Sequence, residues 1–224
     1  MADFSLRASL SLWKRRLATR QKLLADARKR GHANEPVTHD EADLIHKREQ
    51  QVEEAKRNVA LRQKQLADAK PLRVRAHDQA LKLIGVMEQG GNNVGPQVSA
   101  IIRNVGGSPG EPWCGDFMAY VYKLAGSKSV DRNWAYVPYM SRITGVQKVS
   151  QPLTGDIVRF EFTGDQTPDH TGMFEKDLGN GTIQTIEGNT GTVGAVSDSK
   201  TGGDGVYRKI RSKSLVKDYL RVTR

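Results

Sequence analysis

The sequence predicts an α+β fold in which helices come first and an antiparallel sheet follows. Before Pro71, apolar residues recur at alternating steps of three and four, which is the spacing of long amphipathic helices. After Gly126, short runs typical of strands are separated by clusters of Gly, Asn and Asp, as antiparallel hairpins require. The change of pattern divides the chain into a helical part, residues 1–70, and an α+β part, residues 71–224.

Composition limits the classes of function. A hydrophobic content of 37% suffices for one modest core, and a net charge of +10 indicates an anionic partner: nucleic acid, a membrane surface or an acidic wall polymer. The single cysteine, Cys114, excludes an internal disulfide. A run of basic residues begins at Lys14, before any apolar run long enough for a signal peptide has occurred. No apolar stretch has the length of a membrane span. We therefore expect the protein to begin in a cytoplasm.

The first helix has an apolar stripe at heptad spacing, with one polar member, Arg20. Its positions are Leu6, Leu10, Trp13, Leu17, Arg20, Leu24 and Ala27. We expect the helix to end near Arg30, because basic residues complement the negative end of the helix dipole and Gly31 can take the left-handed cap.

A second helix follows a loop through Asn34 and Pro36. Thr38 and Glu41 have the spacing of a capping box, and Pro71 ends the pattern. The residues that recur at every seventh position are Ile45, Val52, Val59 and Leu66. Two long helices joined by a short loop predict an antiparallel coiled-coil hairpin over residues 1–70.

The narrow stripe and dense charge of the hairpin fit three roles: homo-oligomer formation, attachment to an anionic wall polymer or membrane surface, and simple spacing. We favour a solvated coiled coil, able to form a homo-oligomer, over a dedicated binding surface. His32, His39 and His46 lie seven residues apart. Without a cysteine or a matched carboxylate pattern, they are interpreted as solvated side chains and not as metal ligands.

In the second part, helical periodicity predicts helices over residues 73–87 and 97–104, separated by a Gly- and Asn-rich loop. Ala76, Ala80, Leu83, Ile84 and Met87 are expected on one side of the first of these helices. Strands are predicted at residues 156–162, 171–176, 182–187, 205–211 and 219–222. The basic segment 208–224 is interpreted as edge strands whose charges discourage aggregation, or as a surface for an anionic wall polymer.

Cys114 opens what reads as a buried helix, with Pro112 expected at the first helical position and Gly126 at the stop. The apolar residues that follow at helical spacing are Phe117, Tyr120, Val121 and Leu124. Unpaired backbone N–H groups and the positive end of the dipole stabilise a thiolate there, which favours a nucleophile. The alternative is an inert buried cysteine.

A thiol nucleophile needs a base, and the base needs an orienting partner. His170 opens a predicted strand, and Glu187 ends the next one. If these strands pair through a hairpin at residues 178–181, the two side chains lie at the same end of the sheet and can form a hydrogen bond. Cys114 would then attack, His170 would carry the proton, and either Glu187 or Asn189 would fix the imidazole tautomer.

Four segments, residues 112–117, 155–160, 170–173 and 187–189, resemble in order and spacing the motifs of the CHAP family, the cysteine, histidine-dependent amidohydrolases/peptidases. The resemblance implies a papain-like α+β domain over residues 71–224, in which N-terminal helices pack on an antiparallel sheet. It also implies hydrolysis of an amide bond in bacterial peptidoglycan. The implied site residues are Cys114 as nucleophile, His170 as base, Glu187 as orienting residue and Asn189 as fourth member.

Some relatives bind calcium through an acidic loop, but residues 90–93 lack clustered aspartates, so no metal and no cofactor are expected. With an added helical module and no signal peptide, the chain resembles a bacteriophage endolysin. It would be made in the host cytoplasm, act on the cell wall and cause host lysis. The alternatives are a virion-associated or structural wall-binding protein of low activity and, last, a nucleic-acid-binding protein suggested by charge alone.

Overall fold

The chain divides into two compact units, Met1–Lys70 and Pro71–Arg224. The computed structural model describes residues 2–30, 38–191 and 205–223. The predicted cap at Gly31, the loop through Asn34 and Pro36, and His32 lie outside these ranges. None of the helices within them is long and apolar enough to cross a lipid bilayer.

The first unit is a pair of helices, α1 (Ala2–Arg30) and α2 (His39–Asp68). They run antiparallel, because Arg20 of α1 pairs with Glu54 while Arg28, further along α1, pairs with the earlier residue Glu49. The nitrogen–oxygen distances of these two ion pairs are 3.1 and 2.7 Å. The predicted antiparallel hairpin is confirmed.

The predicted stripes form the seam of the hairpin. Ala27, Val52 and Ala55 are buried there, and the remaining stripe residues of both helices are half-buried. The capping box is also present, because the backbone N–H of Thr38 donates to Glu41 Oε2 at 3.0 Å and the N–H of Glu41 donates to Thr38 Oγ1 at 3.3 Å. This reciprocal pair satisfies two donors that would otherwise have no partner at the helix start.

The second unit packs helices on a sheet. Its helices are α3 (Leu72–Leu83), α4 (Pro96–Asn104) and α5 (Cys114–Leu124), followed by 3-10 turns at Arg132–Ala135 and Val137–Arg142. Its strands are β1 (Val146–Val149), β2 (Ile157–Phe160), β3 (His170–Asp177), β4 (Thr182–Thr190), β5 (Gly205–Ser212) and β6 (Val216–Val222). The strands form one antiparallel sheet of order β1-β6-β2-β3-β4-β5, so the α+β prediction is confirmed.

The two faces of the sheet carry separate apolar clusters. The larger one lies between the sheet and the helices, where Phe117 and Val121 of α5 share a core with Met173 of β3 and Ile186 of β4. The smaller one, on the opposite face, consists of Val158, Phe160, Phe174 and Ile183. Side chains alternate between these faces along a strand, so β2, β3, β4 and β6 contribute to both clusters.

Helix α3 ends at Leu83, four residues earlier than predicted. Gly85 has a φ of +92° and turns the chain towards β5, where its N–H donates to the carbonyl of Val206 at 2.9 Å. Ile84 and Met87 consequently lie beyond the helix and are exposed, so their expected place on one side of that helix with Ala76 and Ala80 was wrong. A glycine free to adopt positive φ ended the helix before its apolar pattern ended.

The start of α5 also differs from the prediction. Trp113 is its N-cap and Cys114 its first helical residue, so Pro112 lies before the helix and not at its first position. The predicted stop is confirmed, because Gly126 has a φ of +88° and its N–H donates to the carbonyl of Lys123. Cys114 therefore occupies the position closest to the unpaired N–H groups of the helix.

The basic C-terminal segment is only partly at an edge. Strand β5 is an edge strand, but β6 lies between β1 and β2. Strand β1 was missed by the sequence analysis, because its four residues, two of them exposed, give no clear alternation. The interpretation of residues 208–224 as edge strands was therefore wrong for β6.

Candidate active site

The first residue of β3 and a residue near the end of β4 meet at one end of the sheet. The pairing of Met173 with Ile186 sets Gly172 opposite Glu187, with His170 two residues further along β3. His170 Nε2 lies 2.9 Å from Glu187 Oε2, and both side chains are buried. The hydrogen bond expected from the strand order is present.

Gly172 makes room for this carboxylate. A Cβ at position 172 would lie 2.5 Å from Glu187 Cγ and 3.1 Å from the carbonyl oxygen of Ile186. Both contacts are closer than atoms can approach without displacement, so the lack of a side chain lets Glu187 lie across β3 beside His170.

Cys114 approaches the imidazole from the start of α5, where it is 7% exposed. Its thiol lies close enough to His170 to raise the pKa of that imidazole. Because Glu187 holds Nε2, the nitrogen that remains for sulfur is Nδ1. Burial lowers the pKa of His170, but the interactions with Cys114 and Glu187 and the charges of both groups outweigh burial and raise the pKa to about 9.

Gly188 brings α5 close to the sheet. A Cβ at this position would lie 2.6 Å from Phe117 Cβ and 2.9 Å from Trp113 Cζ3. The backbone of β4 therefore contacts the first turn of α5 directly, which fixes the distance between Cys114 on the helix and the histidine on the sheet.

Arg211 of β5 completes the surroundings of the carboxylate. Its Nη2 lies 2.6 Å from Glu187 Oε2 and its Nε lies 3.0 Å from Oε1, while Thr185 Oγ1 donates to Oε1 at 2.5 Å. Burial raises the pKa of Glu187, but the bonds from His170 and Arg211 and their charges lower it to about 2. Glu187 is therefore charged at neutral pH although it is fully buried.

Two aromatic rings lie beside the side chains of His170 and Arg211. The ring centroids of Phe160 and Phe162 each lie 6.0 Å from that of His170. The guanidinium of Arg211 lies over the same rings, 5.6 Å from the centroid of Phe160 and 5.2 Å from that of Phe162. Apolar walls strengthen the electrostatic interactions between groups that are fully paired.

A thiol at a helix start, beside an imidazole that a buried carboxylate holds, is the arrangement of a cysteine nucleophile with its base. Residues 106–189 match the CHAP domain. CHAP domains are cysteine-dependent amidohydrolases, and the match suggests peptidoglycan amidase or peptidase activity. Comparison with curated proteins and with solved structures gave no match to the chain.

The CHAP match ends at Asn189 and therefore includes Cys114, His170 and Glu187 but not Arg211. Sequence reasoning also missed Arg211, which it treated as part of the basic edge segment. The one available signal was alternation: Lys209 and Arg211 are two residues apart on β5, which places their side chains on one face of the strand. Which face that is depends on the pairing of β5 with β4.

Asn189 lies in a bulge of the CHAP domain. The β4–β5 pairing shifts between Glu187 and Thr190, and Asn189 has a φ of +54°. Within residues 2–30, 38–191 and 205–223, no side chain forms a hydrogen bond with that of Asn189. The structure thus joins three of the four expected site residues directly and places the fourth two residues beyond Glu187.

Trp113, next to the nucleophile, belongs to the core and not to a substrate groove. It is fully buried, packs edge-on against Phe117, and its Nε1 donates to Glu88 Oε1 at 3.0 Å. The other oxygen of Glu88 accepts the backbone N–H of Asn93 at 2.8 Å. Glu88 thereby links the loop at residues 90–93, where no metal was expected, to the start of α5 through hydrogen bonds.

A groove of about 410 Å³ borders the segment that leads into Cys114. Its lining residues are Glu111, Pro112, Arg132, Asn133, Ala135 and Tyr136. Arg132 bridges Glu111 at 2.6 Å and the buried Asp116 at 2.5 Å. Burial raises the pKa of Asp116 to about 6, with Glu111 adding to the rise and Arg132 opposing it.

In the part of the chain that the structure describes, no three His, Cys, Asp or Glu side chains are grouped so that they could hold a metal ion. His39 pairs with Asp43 and His46 with Gln50, both on the exposed surface of the hairpin.

Proposed function

We propose that this protein is a peptidoglycan hydrolase of the bacteriophage endolysin type. It cleaves an amide bond in the peptide part of the bacterial wall and so leads to host lysis. The observation that carries the proposal is the continuous contact from Cys114 through His170 to Glu187 within a segment that matches the CHAP domain. The protein would be made in the host cytoplasm and act on the wall without a metal or cofactor.

In the acylation step, Cys114 Sγ attacks the carbonyl carbon of the scissile amide. His170 Nδ1 holds the thiol proton and delivers it to the amide nitrogen as the C–N bond breaks, which releases an amine and leaves a thioester. The backbone N–H of Cys114, at the first position of α5, would donate a hydrogen bond to the carbonyl oxygen as its negative charge develops.

In the deacylation step, water attacks the thioester carbon. His170 takes one proton from that water, the new C–O bond forms, and the C–S bond breaks to return the sulfur of Cys114 and a free carboxylic acid. The same imidazole therefore acts as acid in one step and as base in the next.

Glu187 orients the imidazole in both steps. Its carboxylate accepts a hydrogen bond from the N–H at Nε2 and thus leaves Nδ1 to face sulfur. Arg211 acts through Glu187 and is a positioning residue, because it keeps that carboxylate charged and fixed. Asn189 is assigned as the fourth site residue, held by the bulge at the end of β4.

The groove beside Pro112 is assigned to the substrate peptide. It adjoins the segment that carries the nucleophile, and Ala135 in its wall would lie 2.8 Å from a Cβ at Gly115. Tyr136, which is 65% exposed, offers an aromatic face, and Arg132 and Glu111 offer charges of both signs for polar groups of a peptide.

The test is mass spectrometry of fragments released from purified peptidoglycans of different chemotypes, with Cys114→Ala as the inactive control. Release of intact stem peptides from glycan would identify an amidase, and shortened or uncrosslinked stems would identify an endopeptidase. No Cys114-dependent release from any wall would overturn the proposal in favour of a wall-binding or structural protein.

A matched histidine pair separates catalysis from stability. His77 also contacts a buried carboxylate, with its Nε2 2.9 Å from Glu175 Oε1, but it lies outside the site. His170→Gln should abolish release while His77→Gln should keep it. Equal losses in the two variants would mean that the loss reflects folding and not chemistry.

A further inference from the structure

The helical hairpin has a groove lined by four arginines. It measures about 380 Å³, and none of its lining residues is acidic. Those residues are Arg15, Arg16, Thr19, Arg20, Leu23, Arg48 and Gln51. Four like charges around one small groove repel each other, so a bound anion would relieve an existing cost.

Two of these arginines have neutral hydrogen-bond partners. Arg15 Nη1 donates to Ser11 Oγ at 3.4 Å, and Arg48 Nη1 donates to Gln51 Oε1 at 3.1 Å. Neither contact neutralises charge. Each guanidinium has five N–H donors, so most of its donors remain for an anion.

Of the other two arginines, only one has a carboxylate partner. The guanidinium of Arg16 lies 4.9 Å from the ring centroid of Trp13, a neutral partner. Arg20 Nη1 lies 3.1 Å from Glu54 Oε2. Among the described residues, the four guanidiniums of this groove are thus paired with a single carboxylate.

A second groove of the same hairpin is electrically balanced. It measures about 520 Å³, and its two basic side chains form ion pairs with its two acidic ones. Arg28 Nη2 lies 2.7 Å from Glu49 Oε1, and Lys56 Nζ lies 2.7 Å from Glu53 Oε1. The excess of positive charge is therefore a property of one groove and not of the hairpin in general.

Helix α1 contributes no acidic residue to the lining of the arginine-lined groove. From residue 4 to residue 25 the chain contains basic residues and no Asp or Glu. The basic residues in that range are Arg7, Lys14, Arg15, Arg16, Arg20 and Lys22. Within this range, α1 offers the basic residues no carboxylate partner of its own.

We propose that this groove binds the phosphates of a flexible polyol phosphate polymer, a chain of phosphodiester groups. The planar fork of arginine matches the oxygen geometry of phosphate and can bind it through two parallel hydrogen bonds. Arg15 and Arg48 come from different helices, so a phosphate between them would be held from both sides. Binding here is independent of the Cys114 chemistry, because every residue of the groove lies in the hairpin.

The surroundings favour such a polymer over a membrane or nucleic acid. Membrane-surface helices present a broad apolar face, whereas the apolar side chain in this groove is Leu23 alone. Single-stranded nucleic acids are bound on exposed aromatic faces, and this groove has no aromatic lining residue.

The experiment measures binding of the full chain carrying Cys114→Ala to synthetic poly(glycerol phosphate) by calorimetry, at low and at physiological salt. The double variant Arg15→Gln/Arg48→Gln should weaken binding about tenfold or more, and the slope of log K against log salt should fall by roughly one to two. The matched control is Arg28→Gln/Lys56→Gln, which also removes two positive charges, but from the balanced groove. It should change the affinity less than about twofold.

Equal losses in the two double variants would show binding by overall charge and would overturn the site. Unchanged binding in both double variants would also overturn the site. Tighter binding to single-stranded DNA or to phosphatidylglycerol vesicles, dependent on Arg15 and Arg48, would overturn the polymer as the ligand. If the Gln variant loses helicity, Arg15→Lys/Arg48→Lys keeps the charge and should still weaken binding several-fold, because lysine lacks the planar fork.

Discussion

Arg211 and Glu187 form an ion pair in which neither side chain is exposed, with Nη2 of the arginine 2.6 Å from Oε2 of the glutamate. The same carboxylate oxygen lies 2.9 Å from the ring of His170. A cation on β5 therefore controls the charge of the carboxylate that orients the imidazole. Because the carboxylate is buried, its charge depends on these partners and not on solvent.

Replacing Arg211 by Gln should destabilise the protein by about 3–5 kcal/mol, because a buried carboxylate then loses its cation. The pKa of Glu187 is about 2 in the folded protein against 4.5 ordinarily, so its contribution to stability is present above pH 4.5 and is lost as the pH falls towards 2. In Arg211→Gln the pKa of the folded Glu187 should lie closer to 4.5, so this loss should be smaller and should be complete at a higher pH. Urea unfolding from neutral to acid pH measures both effects.

The control is Arg208→Gln on the same strand. Arg208 also binds a buried glutamate, Glu175, but its own side chain is 44% exposed. Because solvent can replace this exposed partner, Arg208→Gln should lower the free energy of unfolding by about 1 kcal/mol or less. Equal destabilisation by the two substitutions would contradict the importance of burial for the Arg211 pair.

Cys114→Ala should lower the pKa of His170 from about 9, because the interaction with Cys114 is the largest of the effects that raise it. A raised histidine pKa stabilises the folded state fully below pH 6.5, and this contribution disappears as the pH rises through about 9. In the intact protein, kcat/KM should fall above about pH 9, where the imidazolium that protonates the leaving amine is lost. NMR titration of the ring checks the shift, and an unchanged pKa would disprove the sulfur contact.

Gly188→Ala should move α5 away from β4, since the added Cβ would lie 2.6 Å from Phe117. Overpacking of this kind costs about 1–3 kcal/mol. We expect kcat/KM to fall further than the loss of stability explains, because the helix carries Cys114. Gly179→Asn is the control: position 179 is open, its φ is +78°, and asparagine tolerates that conformation. Similar activity in the two variants would contradict the helix displacement.

Asn189→Gly tests whether the fourth site residue acts through its side chain. Glycine accepts the φ of +54° without strain, so the bulge should persist. We expect kcat/KM to fall about tenfold, the equivalent of one lost hydrogen bond of roughly 1.4 kcal/mol. Asn189→Ala removes the same group and adds backbone strain. Full activity in Asn189→Gly alone would show that the residue shapes the bulge and contacts no substrate.

The sequence alone was sufficient for features set by local periodicity. The heptad stripe through Trp13 and Arg20 predicted the hairpin seam, and the turn at residues 178–181 brought His170 and Glu187 together. Arg211 was missed because its role depends on strand register across a separation of 24 residues. Ile84 and Met87 were misplaced because the positive φ of Gly85 overrode an apolar pattern that continued past the helix end.

The position of β6 between β1 and β2 has a consequence for the timing of folding. Until residues 216–222 have left the ribosome, β1 has no partner in the sheet, and β2, the neighbour of the strand that carries His170, is an unprotected edge. Such late, non-local pairing is slow compared with helix formation. The hairpin can therefore fold while translation continues, whereas the second unit gains its final sheet only after β6 has been synthesised.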